Sequence, residues 1–314
     1  MSMRIAFMGT PLFAVPILEM LVEDDYEIAV VYTQPDRPAG RGRSEISSPV
    51  KQVAKKYDLP ICQPISLRRE SEIRTFAEFK VDLVVLAAFG FFLPKPILEL
   101  QKFGNLNVHP SLLPFYRGAS PIMSALLRGD EETGSSIFLM DEGMDSGPIL
   151  TQRSLPVAAN DTTKTLTDRL SQHGAELLRE TIPLWLDNKI DPTPQDANQA
   201  IYSGLVNKAD GLIDWSDSAM AISREVRAFD PWPSSFTYWE GKRLKILKSS
   251  PIEGNSQSEI GTIFSTNASG DIGVVTGDGI LLIDKLQIEG RGIMSIDQFV
   301  NGYPNFLGAK LTQK

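Results

Sequence analysis

Short apolar runs and stretches with apolar residues at helical spacing alternate along the first half of the chain. The runs "RIAFMGT" (4–10), "YEIAVVYTQPD" (26–36) and "VDLVVLAAFG" (81–90) are mostly apolar at consecutive positions, which is typical of strands buried on both faces. Helical patterns such as "LFAVPILEMLVED" (12–24) follow them. Strands that alternate with helices predict an α/β fold with a Rossmann-like parallel sheet and helices on both of its faces.

The pattern changes in the last third of the chain. The stretch "KIDPTPQDANQA" (189–200) is polar and contains two prolines, which is typical of a linker. Residues 206–227 predict one helix, and short alternating strands broken by Gly, Asn and Ser follow, as in a small antiparallel barrel. We therefore predict a Rossmann-like domain over 1–188, a linker over 189–205 and an OB-like β-barrel domain over 206–314.

The net charge of the chain is −8, which argues against a protein that coats nucleic acid non-specifically. One segment departs from this balance, because residues 37–56 carry six basic side chains against the single Glu45. The six are Arg37, Arg41, Arg43, Lys51, Lys55 and Lys56. The part "RPAGRGR" (37–43) is rich in Gly and Pro and predicts an exposed loop that can pair with phosphates. A solvated surface loop without a partner explains the same residues, and taken alone they favour it.

Several function classes are disfavoured by composition. No apolar run approaches the ~20 residues of a membrane-spanning helix, and the first residues lack the pattern of a signal peptide. Cys62 is the only cysteine, so an internal disulfide is impossible. Two histidines and one cysteine do not make a usual zinc site, so we expect no metal. We expect a monomeric protein in the cytoplasm.

Candidate chemistry lies in "NLNVHPSLLP" (105–114), where a strand ends. Alternation along a strand puts Asn107 and His109 on the same side, so an amide donor and an imidazole face one volume. The amide can stabilise a developing oxyanion, and the imidazole can move a proton near neutral pH. The later stretch "MDEGMDSG" (140–147) offers Asp141, Glu142 and Asp145 as an acidic partner.

The residue types indicate direct acyl transfer, because no cysteine or serine nucleophile accompanies them. The residues alone leave another interpretation open. A histidine at a strand end often only bonds a loop, and an aspartate near glycine is ordinary turn chemistry.

Three stretches together carry a resemblance to a known family: "NVHPSLLPFYRGASPI" (107–122), "MDEGMDSGPIL" (140–150) and "TQPDRPAGRGR" (33–43). They resemble the formyltransferases that use 10-formyltetrahydrofolate. "IDWS" (213–216) and "RAFDPWPSSF" (227–236) are similar to the members that act on methionyl-tRNA. The resemblance covers nearly the whole chain. It implies transfer of a formyl group from 10-formyltetrahydrofolate to the α-amino group of initiator methionyl-tRNA, with the C-terminal barrel as a second tRNA-binding domain.

The resemblance also implies functions for individual residues. It makes Asn107, His109 and Asp145 the catalytic trio, with Asp145 orienting the imidazole and favouring its charged form. The residues that it places against the folate are Ser111, Leu112, Leu113, Pro114, Phe89, Gly90, Phe91 and Leu93. The residues that it places against tRNA are Arg37, Arg41 and Arg43.

The chain departs from the family pattern at one position of this stretch. The family commonly has arginine directly after SLLP, whereas this chain has Phe115 and retains the second basic residue, Arg117. A function for a charge at position 115 therefore does not carry over.

Three alternative functions share parts of these features. An amino-sugar N-formyltransferase of the same family would share residues 107–114 and Asp145 but would not need the arginine loop. A folate hydrolase would release formate without an amine acceptor. A non-catalytic RNA-binding protein would need only the barrel and the loop, and the intact trio argues against it.

Overall fold

In the computed structural model, which describes residues 3–39, 44–254, 256–266 and 271–313, a seven-stranded sheet forms the centre of the N-terminal part. The strands of this part are β1 (Arg4–Gly9), β2 (Glu27–Tyr32), β3 (Arg37–Ala39), β4 (Ser44–Ile46), β5 (Ile61–Cys62), β6 (Leu83–Ala87), β7 (Asn105–His109), β8 (Arg117–Gly118), β9 (Glu132–Leu139), β10 (Ile149–Pro156) and β11 (Tyr202–Ser203). The helices are α1 (Val15–Glu23), α2 (Pro49–Lys56), α3 (Glu70–Glu78), α4 (Lys95–Leu98), α5 (Pro121–Arg128) and α6 (Thr163–Leu186).

The sheet has the strand order β10-β9-β7-β6-β1-β2-β5. The five strands from β5 to β7 are parallel, which confirms the predicted Rossmann-like architecture. Side chains on both faces of β1, β2 and β6 are buried, as parallel strands covered by helices require. One further strand, β9, runs against this direction, since it is antiparallel to both β7 and β10.

The antiparallel pairing of β9 with β10 follows from the length of the connection between them. Only residues 140–148 join β9 to β10, whereas a parallel crossover needs about a dozen residues or more. Because β9 runs against β7, Leu139 lies opposite Leu106 near the start of β7. The loop 140–148 thus begins at the opposite end of β7 from His109, and it folds back to bring Asp145 to that histidine (below).

The described chain forms two units, each with its own core. The first contains Met1–Pro121, Glu132–Val157 and Thr167–Ser203, and the second contains Ile122–Glu131, Ala158–Leu166 and Gly204–Lys314. Residues 189–203, part of the predicted linker, are assigned to the first unit, where β11 pairs with β8. The domain boundaries that we derived from the sequence stay a prediction. None of the described helices is long and apolar enough to cross a membrane.

The second unit contains an antiparallel sheet, as predicted. Its strands are β12 (Ser235–Trp239), β13 (Lys242–Ile252), β14 (Ile263–Ser265), β15 (Ile272–Val275), β16 (Ile280–Ile288) and β17 (Met294–Ser295), and its helices include α7 (Ala219–Ala228) and α8 (Ile296–Gly302). The order is β12-β13-β16-β15-β14, with β17 beside β16. The C-terminal segment bridges Tyr238 through Thr312 and Thr262 through Lys310, so it links the two edges of the curled sheet.

The prediction of one helix over 206–227 is wrong. Only α7 is α-helical there, and a short 3-10 turn covers Lys208–Gly211. Gly211 packs so closely on Ser234 that an added Cβ would lie 2.4 Å from its carbonyl oxygen. Ile213 then donates its N–H to the carbonyl of Phe236 at 2.8 Å, which fixes an extended path. Tertiary contacts have overridden the helical pattern.

Helix α7 carries a carboxyl group whose titration affects stability. Burial, followed by the charges of Asp217 and Asp214, raises the pKa of Glu225 to about 7. An unfolded glutamate has a pKa of about 4.3. Between these two pKa values the folded state binds more protons than the unfolded state. The contribution of the protonated Glu225 to the free energy of unfolding is therefore complete below about pH 4, and it is lost as pH rises through about 7.

We therefore expect Glu225→Gln to stabilise the second unit at pH 8, by about 1–2 kcal/mol once solvent screening is allowed for, and not near pH 4. Urea denaturation at both pH values measures this difference. Tryptophan fluorescence can report it, since three of the four tryptophans lie in this unit: Trp215, Trp232 and Trp239. Glu289→Gln, at an exposed site of the same unit, is the matched control and should show no such pH dependence. An equal effect of Glu225→Gln at both pH values would contradict the assignment.

Candidate active site

His109 lies at the end of β7 with only 4% of its surface exposed. Its Nε2 is 3.0 Å from the carbonyl oxygen of Tyr116. A carbonyl can only accept a hydrogen bond, so this contact keeps a hydrogen on Nε2. In the neutral ring the lone pair is therefore on Nδ1, which is the nitrogen left for chemistry.

Asp145 approaches that same nitrogen from the loop between β9 and β10. Its Oδ2 lies 3.8 Å from Nδ1 of His109 and accepts a hydrogen bond from the backbone N–H of Gly118 at 2.8 Å. Asp145 has a left-handed φ of 49°, a conformation that aspartate adopts more readily than most residues. Gly118 has a φ of 111°, and a Cβ there would lie 2.6 Å from the carbonyl oxygen of Ser203. Only glycine fits this close approach.

The other two acidic candidates of the loop are engaged elsewhere. The carboxylate of Asp141 accepts hydrogen bonds from Gly143 and Ser146 within its own turn. Glu142 is exposed and pairs with Lys95 at 3.0 Å. The structure thus brings Asp145, and neither of its neighbours, to the histidine.

The electrostatics of His109 balance burial against its partners. Burial lowers the pKa of His109 below its ordinary value, and the charge of Asp145 and the carbonyl of Tyr116 raise it in part. Asp145 therefore favours the charged form, as expected, but burial has the larger effect. The imidazole is neutral near pH 7 and can act as a base through Nδ1.

Asn107 stands two residues before His109 on β7 and is half-buried. Strand alternation places both side chains on one side of the sheet. No hydrogen bond to the side-chain amide of Asn107 occurs within the described part of the chain. Its N–H groups are therefore available to a ligand.

The Ser111–Pro114 segment is fastened to the antiparallel edge of the sheet. Ser136 on β9 accepts a hydrogen bond from the N–H of Leu113 at 3.0 Å and donates to the carbonyl of Ser111 at 2.6 Å. Gln152 on β10 donates to the carbonyl of Leu113 at 2.8 Å. These bonds give the segment one fixed shape.

Burial distinguishes the four residues of this segment. The side chains of Ser111 and Leu113 are buried within the protein, whereas Leu112 and Pro114 are half-buried. Phe115, which follows them, is 41% exposed. Ser111 and Leu113 therefore support the segment from inside the protein. Leu112 and Pro114 are the two residues of the segment with surface left for a ligand.

The second predicted folate segment follows β6. Phe89 and Leu93 are buried, Phe91 packs edge-on against Phe89 at 5.3 Å, and Gly90 is exposed with a φ of 80°. Gln34 donates to the carbonyl of Phe89 at 3.1 Å. Across the described ranges, the N–H groups of Gly90 and Phe91 make no hydrogen bond. This turn presents backbone donors to a ligand.

A surface cavity of about 600 Å³ lies beside the loop that carries Asp145. Its lining comes from α4 and the residue after it, and from the loop itself: Lys95, Leu98, Glu99, Met140, Asp141, Glu142, Gly143 and Ser146. This volume is in the range of small-molecule sites. Among the described residues, no three His, Cys, Asp or Glu side chains come together as metal ligands.

The predicted tRNA loop begins as a β-hairpin, in which β3 pairs with β4. Arg37 is the first residue of β3, and Arg41 and Arg43 lie outside the described residues. At the base of the hairpin Lys51 forms an ion pair with Asp36, whose carboxylate also accepts from Gln63. Lys51 is thus neutralised within the protein and does not add to the basic surface that we expected from the sequence.

The sequence patterns did not indicate two side chains that hold the loop of Asp145. Gln195 contacts the loop directly, and Arg117 contacts Gln195. Arg117 is 3% exposed, and its Nε donates to Oε1 of Gln195 at 2.9 Å. The amide nitrogen of Gln195 donates to the carbonyls of Asp145 and Gly147. Gln195 lies in the polar stretch that predicted a linker, and no local pattern there indicates a contact 50 residues away.

Comparison with known proteins identifies relatives over nearly the whole chain. Residues 3–182 match the family described as formyl transferase, and residues 205–304 match its C-terminal domain. The methionyl-tRNA formyltransferase of Coxiella burnetii (strain RSA 331 / Henzerling II) is 42% identical over 303 residues, which is 96% of either chain. That of Citrifermentans bemidjiense is 41% identical over 313 residues, covering 100% of this chain and 98% of the relative.

Solved structures share the fold at lower identity. HypX from Aquifex aeolicus, in complex with tetrahydrofolic acid, aligns with a TM-score of 0.65 and 16% identity, over 98% of this chain and 48% of that chain. WlaRD, a sugar 3N-formyl transferase, aligns with a TM-score of 0.64 and 20% identity, over 93% of this chain and 100% of that chain. At these identities the likeness concerns the fold.

Proposed function

The chain belongs to the formyl transferase family, and from this we propose that it transfers the formyl group of 10-formyltetrahydrofolate to the α-amino group of initiator methionyl-tRNA. The substrates follow from the relatives, which are named methionyl-tRNA formyltransferases at 41–42% identity. The observation that carries the chemistry is the arrangement at His109. Its Nε2 is occupied by a carbonyl, its Nδ1 faces Asp145 at 3.8 Å, and the free amide of Asn107 lies on the same side of the strand.

We assign the proton transfer to Nδ1 of His109. The donor supplies a formyl carbon bonded to a nitrogen that can leave. As the amine attacks that carbon, its nitrogen loses a proton to Nδ1, and the amide of Asn107 donates to the negative charge that develops on the formyl oxygen. The imidazolium so formed is stabilised by Asp145. It then returns the proton to the departing folate nitrogen as the carbon–nitrogen bond breaks, which leaves the enzyme unchanged.

We assign folate binding to the two segments on either side of this centre. The unbonded N–H groups of Gly90 and Phe91 in the described structure suit the polar edge of a pterin, and the buried Phe89 and Leu93 hold that turn in place from the core. The Ser111–Pro114 segment, which its hydrogen bonds to β9 and β10 hold in one shape, suits contact with the pterin ring system. The cavity beside the Asp145 loop has room for the part of the substrate that extends from the ring.

We assign tRNA binding to the basic segment 37–43, with Arg37, Arg41 and Arg43, and to the sheet of the second unit. On that sheet Arg243 stacks over the ring of Phe236 at 3.6 Å, and Lys245 lies opposite Phe236 on the neighbouring strand. Arg243 and Lys245 lie on the same side of β13, and two such cations suit the phosphates of a nucleic acid. The monomeric state and the cytoplasmic location stay predictions from the sequence.

Loss of one arginine of the basic segment 37–43 should weaken the use of tRNA without affecting folate. We expect Arg41→Ala to raise KM for methionyl-tRNA by about tenfold, and to reduce the slope of log(kcat/KM) against log[salt] by about 1. Steady-state kinetics at several salt concentrations measure both. Arg68→Ala, which removes an exposed arginine of the same unit, is the control. Unaltered tRNA dependence in Arg41→Ala would remove the segment from the tRNA site.

The proposed function is tested by incubating the purified protein with 10-formyltetrahydrofolate and one of three acceptors. We expect formyl-methionine on initiator methionyl-tRNA and little product from a nucleotide-linked amino sugar. Elongator methionyl-tRNA tests specificity for the initiator. Product on the amino sugar alone would favour the sugar enzyme, and formate release without any acceptor would favour the hydrolase.

A further inference from the structure

The structure assigns a positioning function to Gln195: its side-chain amide sets the loop that carries Asp145, and Arg117 sets the orientation of that amide. This inference deepens the proposed formyl transfer and rests on it. Gln195 is 86 residues after His109 and belongs to a stretch whose composition predicts only a linker. It touches none of the proposed reacting groups, so its effect on the reaction passes through Asp145.

The hydrogen bonds of Gln195 allow one orientation only. Its Nε2 donates to the carbonyl of Asp145 at 2.9 Å and to that of Gly147 at 2.7 Å, while its Oε1 accepts from Nε of Arg117 at 2.9 Å. A flipped amide would bring its oxygen against two carbonyls and its NH2 against an N–H donor. The nearly fully buried guanidinium of Arg117 therefore holds the donor side of the amide toward the loop.

The residues after Gln195 hold Gly118, which is the hydrogen-bond donor to the Asp145 carboxylate. The carboxylate of Asp145 accepts from Gly118 N–H, and Gly118 belongs to β8, which pairs with β11. Arg117 N–H donates to the carbonyl of Ile201 at 2.9 Å, and Ser203 Oγ accepts from the N–H of Ser120. One stretch, residues 195–203, thus fastens both sides of the hydrogen bond that orients the Asp145 carboxylate.

The hydrogen bonds of residues 195–203 are needed because the loop 140–148 approaches His109 from the opposite end of β7. Asp145 is in a left-handed conformation within a loop that starts beyond the far end of β7 and folds back. Gly143 and Ser146 each donate to the carboxylate of Asp141 within the loop, but those bonds do not tie it to the histidine. A displacement of about 1 Å at such a group can cost up to about 100-fold in rate.

The test compares two substitutions of similar size. Gln195→Met removes all three hydrogen bonds, whereas Gln195→Glu keeps an acceptor for Arg117 and turns an oxygen toward the two carbonyls. We expect kcat to fall about 10–100-fold in both, with KM for the folate within about threefold. If Gln195 served only to satisfy the buried Arg117, Gln195→Glu would behave as the wild type, and the proposal would be wrong. Gln199→Met, at an exposed glutamine of the same stretch, is the matched control.

A double-mutant cycle tests whether the effect passes through Asp145. In an Asp145→Asn background, Gln195→Met should cost less than about threefold in kcat. Additive losses would show that Gln195 acts by another route and would overturn the proposal.

A readout without catalysis separates this inference from the proposed function. The amide hydrogen of Gly118, bonded to Asp145, should exchange at least about tenfold faster in Gln195→Met and in Gln195→Glu, as followed by NMR on the full chain. Unchanged exchange would contradict the positioning function even if turnover fell. Faster exchange in a protein that formylates no tRNA would refute the proposed function and leave the positioning intact.

Discussion

His109→Ala should lower kcat for formyl transfer by about 10²–10⁴-fold, while the protein remains folded. The variant loses the base at Nδ1 and the group that returns the proton to the leaving nitrogen. It alters no residue of the two folate segments, so KM for the donor should change little. Single-turnover formylation of methionyl-tRNA measures the effect directly, because it separates the chemical step from product release.

The second histidine of the chain provides the matched control. His173 lies in α6, and its Nδ1 contacts the hydroxyl of Ser135. His173→Gln should keep kcat within about threefold of the wild type. Because His109 is buried, His109→Ala also leaves a void, and His109→Gln is a better-filled second variant with the same expected loss.

Added imidazole should restore part of the activity of His109→Ala, by entering the void and supplying the missing base. Circular dichroism establishes that the loss is not unfolding. Turnover of His109→Gln within tenfold of the wild type would exclude His109 as the group that moves the proton.

Strand patterns gave a reliable prediction of what lies on β7. The alternation that puts Asn107 and His109 on one side is a property of any extended backbone, so the sequence contains it completely. The buried parallel strands β1, β2 and β6 follow from their runs of consecutive apolar residues. The antiparallel pairing of β9 with β10 could also be inferred from the short connection between them, once both ends of that connection are known.

The parts that could not be predicted depend on contacts between distant segments. By residue type alone Asp141, Glu142 and Asp145 are equivalent within five residues. The resemblance singled out Asp145, and the folded-back loop is the physical feature that brings it to His109. Gln195 contacts residues 50 and 78 positions earlier in the chain, and its own neighbours are polar and unpatterned. The helix expected over 206–227 failed for a related reason, because Gly211 packs closely on Ser234 and Ile213 donates a hydrogen bond to Phe236.

Asp145→Asn should lower kcat by about 10²–10³-fold and move the pH dependence of the reaction. The substitution is nearly isosteric, and asparagine tolerates the left-handed φ of 49° at this position. Its side-chain oxygen can still accept from Gly118 N–H. The loop should therefore keep its geometry, and the main change is the loss of a negative charge 3.8 Å from Nδ1 of His109.

The direction of the pH effect follows from the partners of His109. Burial lowers its pKa and the charge of Asp145 raises it in part, so removal of that charge lowers the pKa further. If neutral His109 is the base, the rate rises as pH rises through this pKa. In Asp145→Asn that limb should lie at lower pH, while the plateau above it falls because the imidazolium is no longer stabilised.

Asp58→Asn is the matched control, since Asp58 is exposed and also has a left-handed φ, of 52°. It should change neither the plateau nor the limb. At low pH the two effects of Asp145→Asn oppose each other. The lower pKa of His109 raises the fraction of neutral imidazole, whereas the loss of the charge that stabilises the imidazolium lowers the rate of proton transfer. A plateau that falls without any movement of the limb would mean that Asp145 orients the reacting groups without acting on the charge of His109. A limb that moves to higher pH would contradict the proposed arrangement, because no loss of a negative charge beside a histidine raises its pKa.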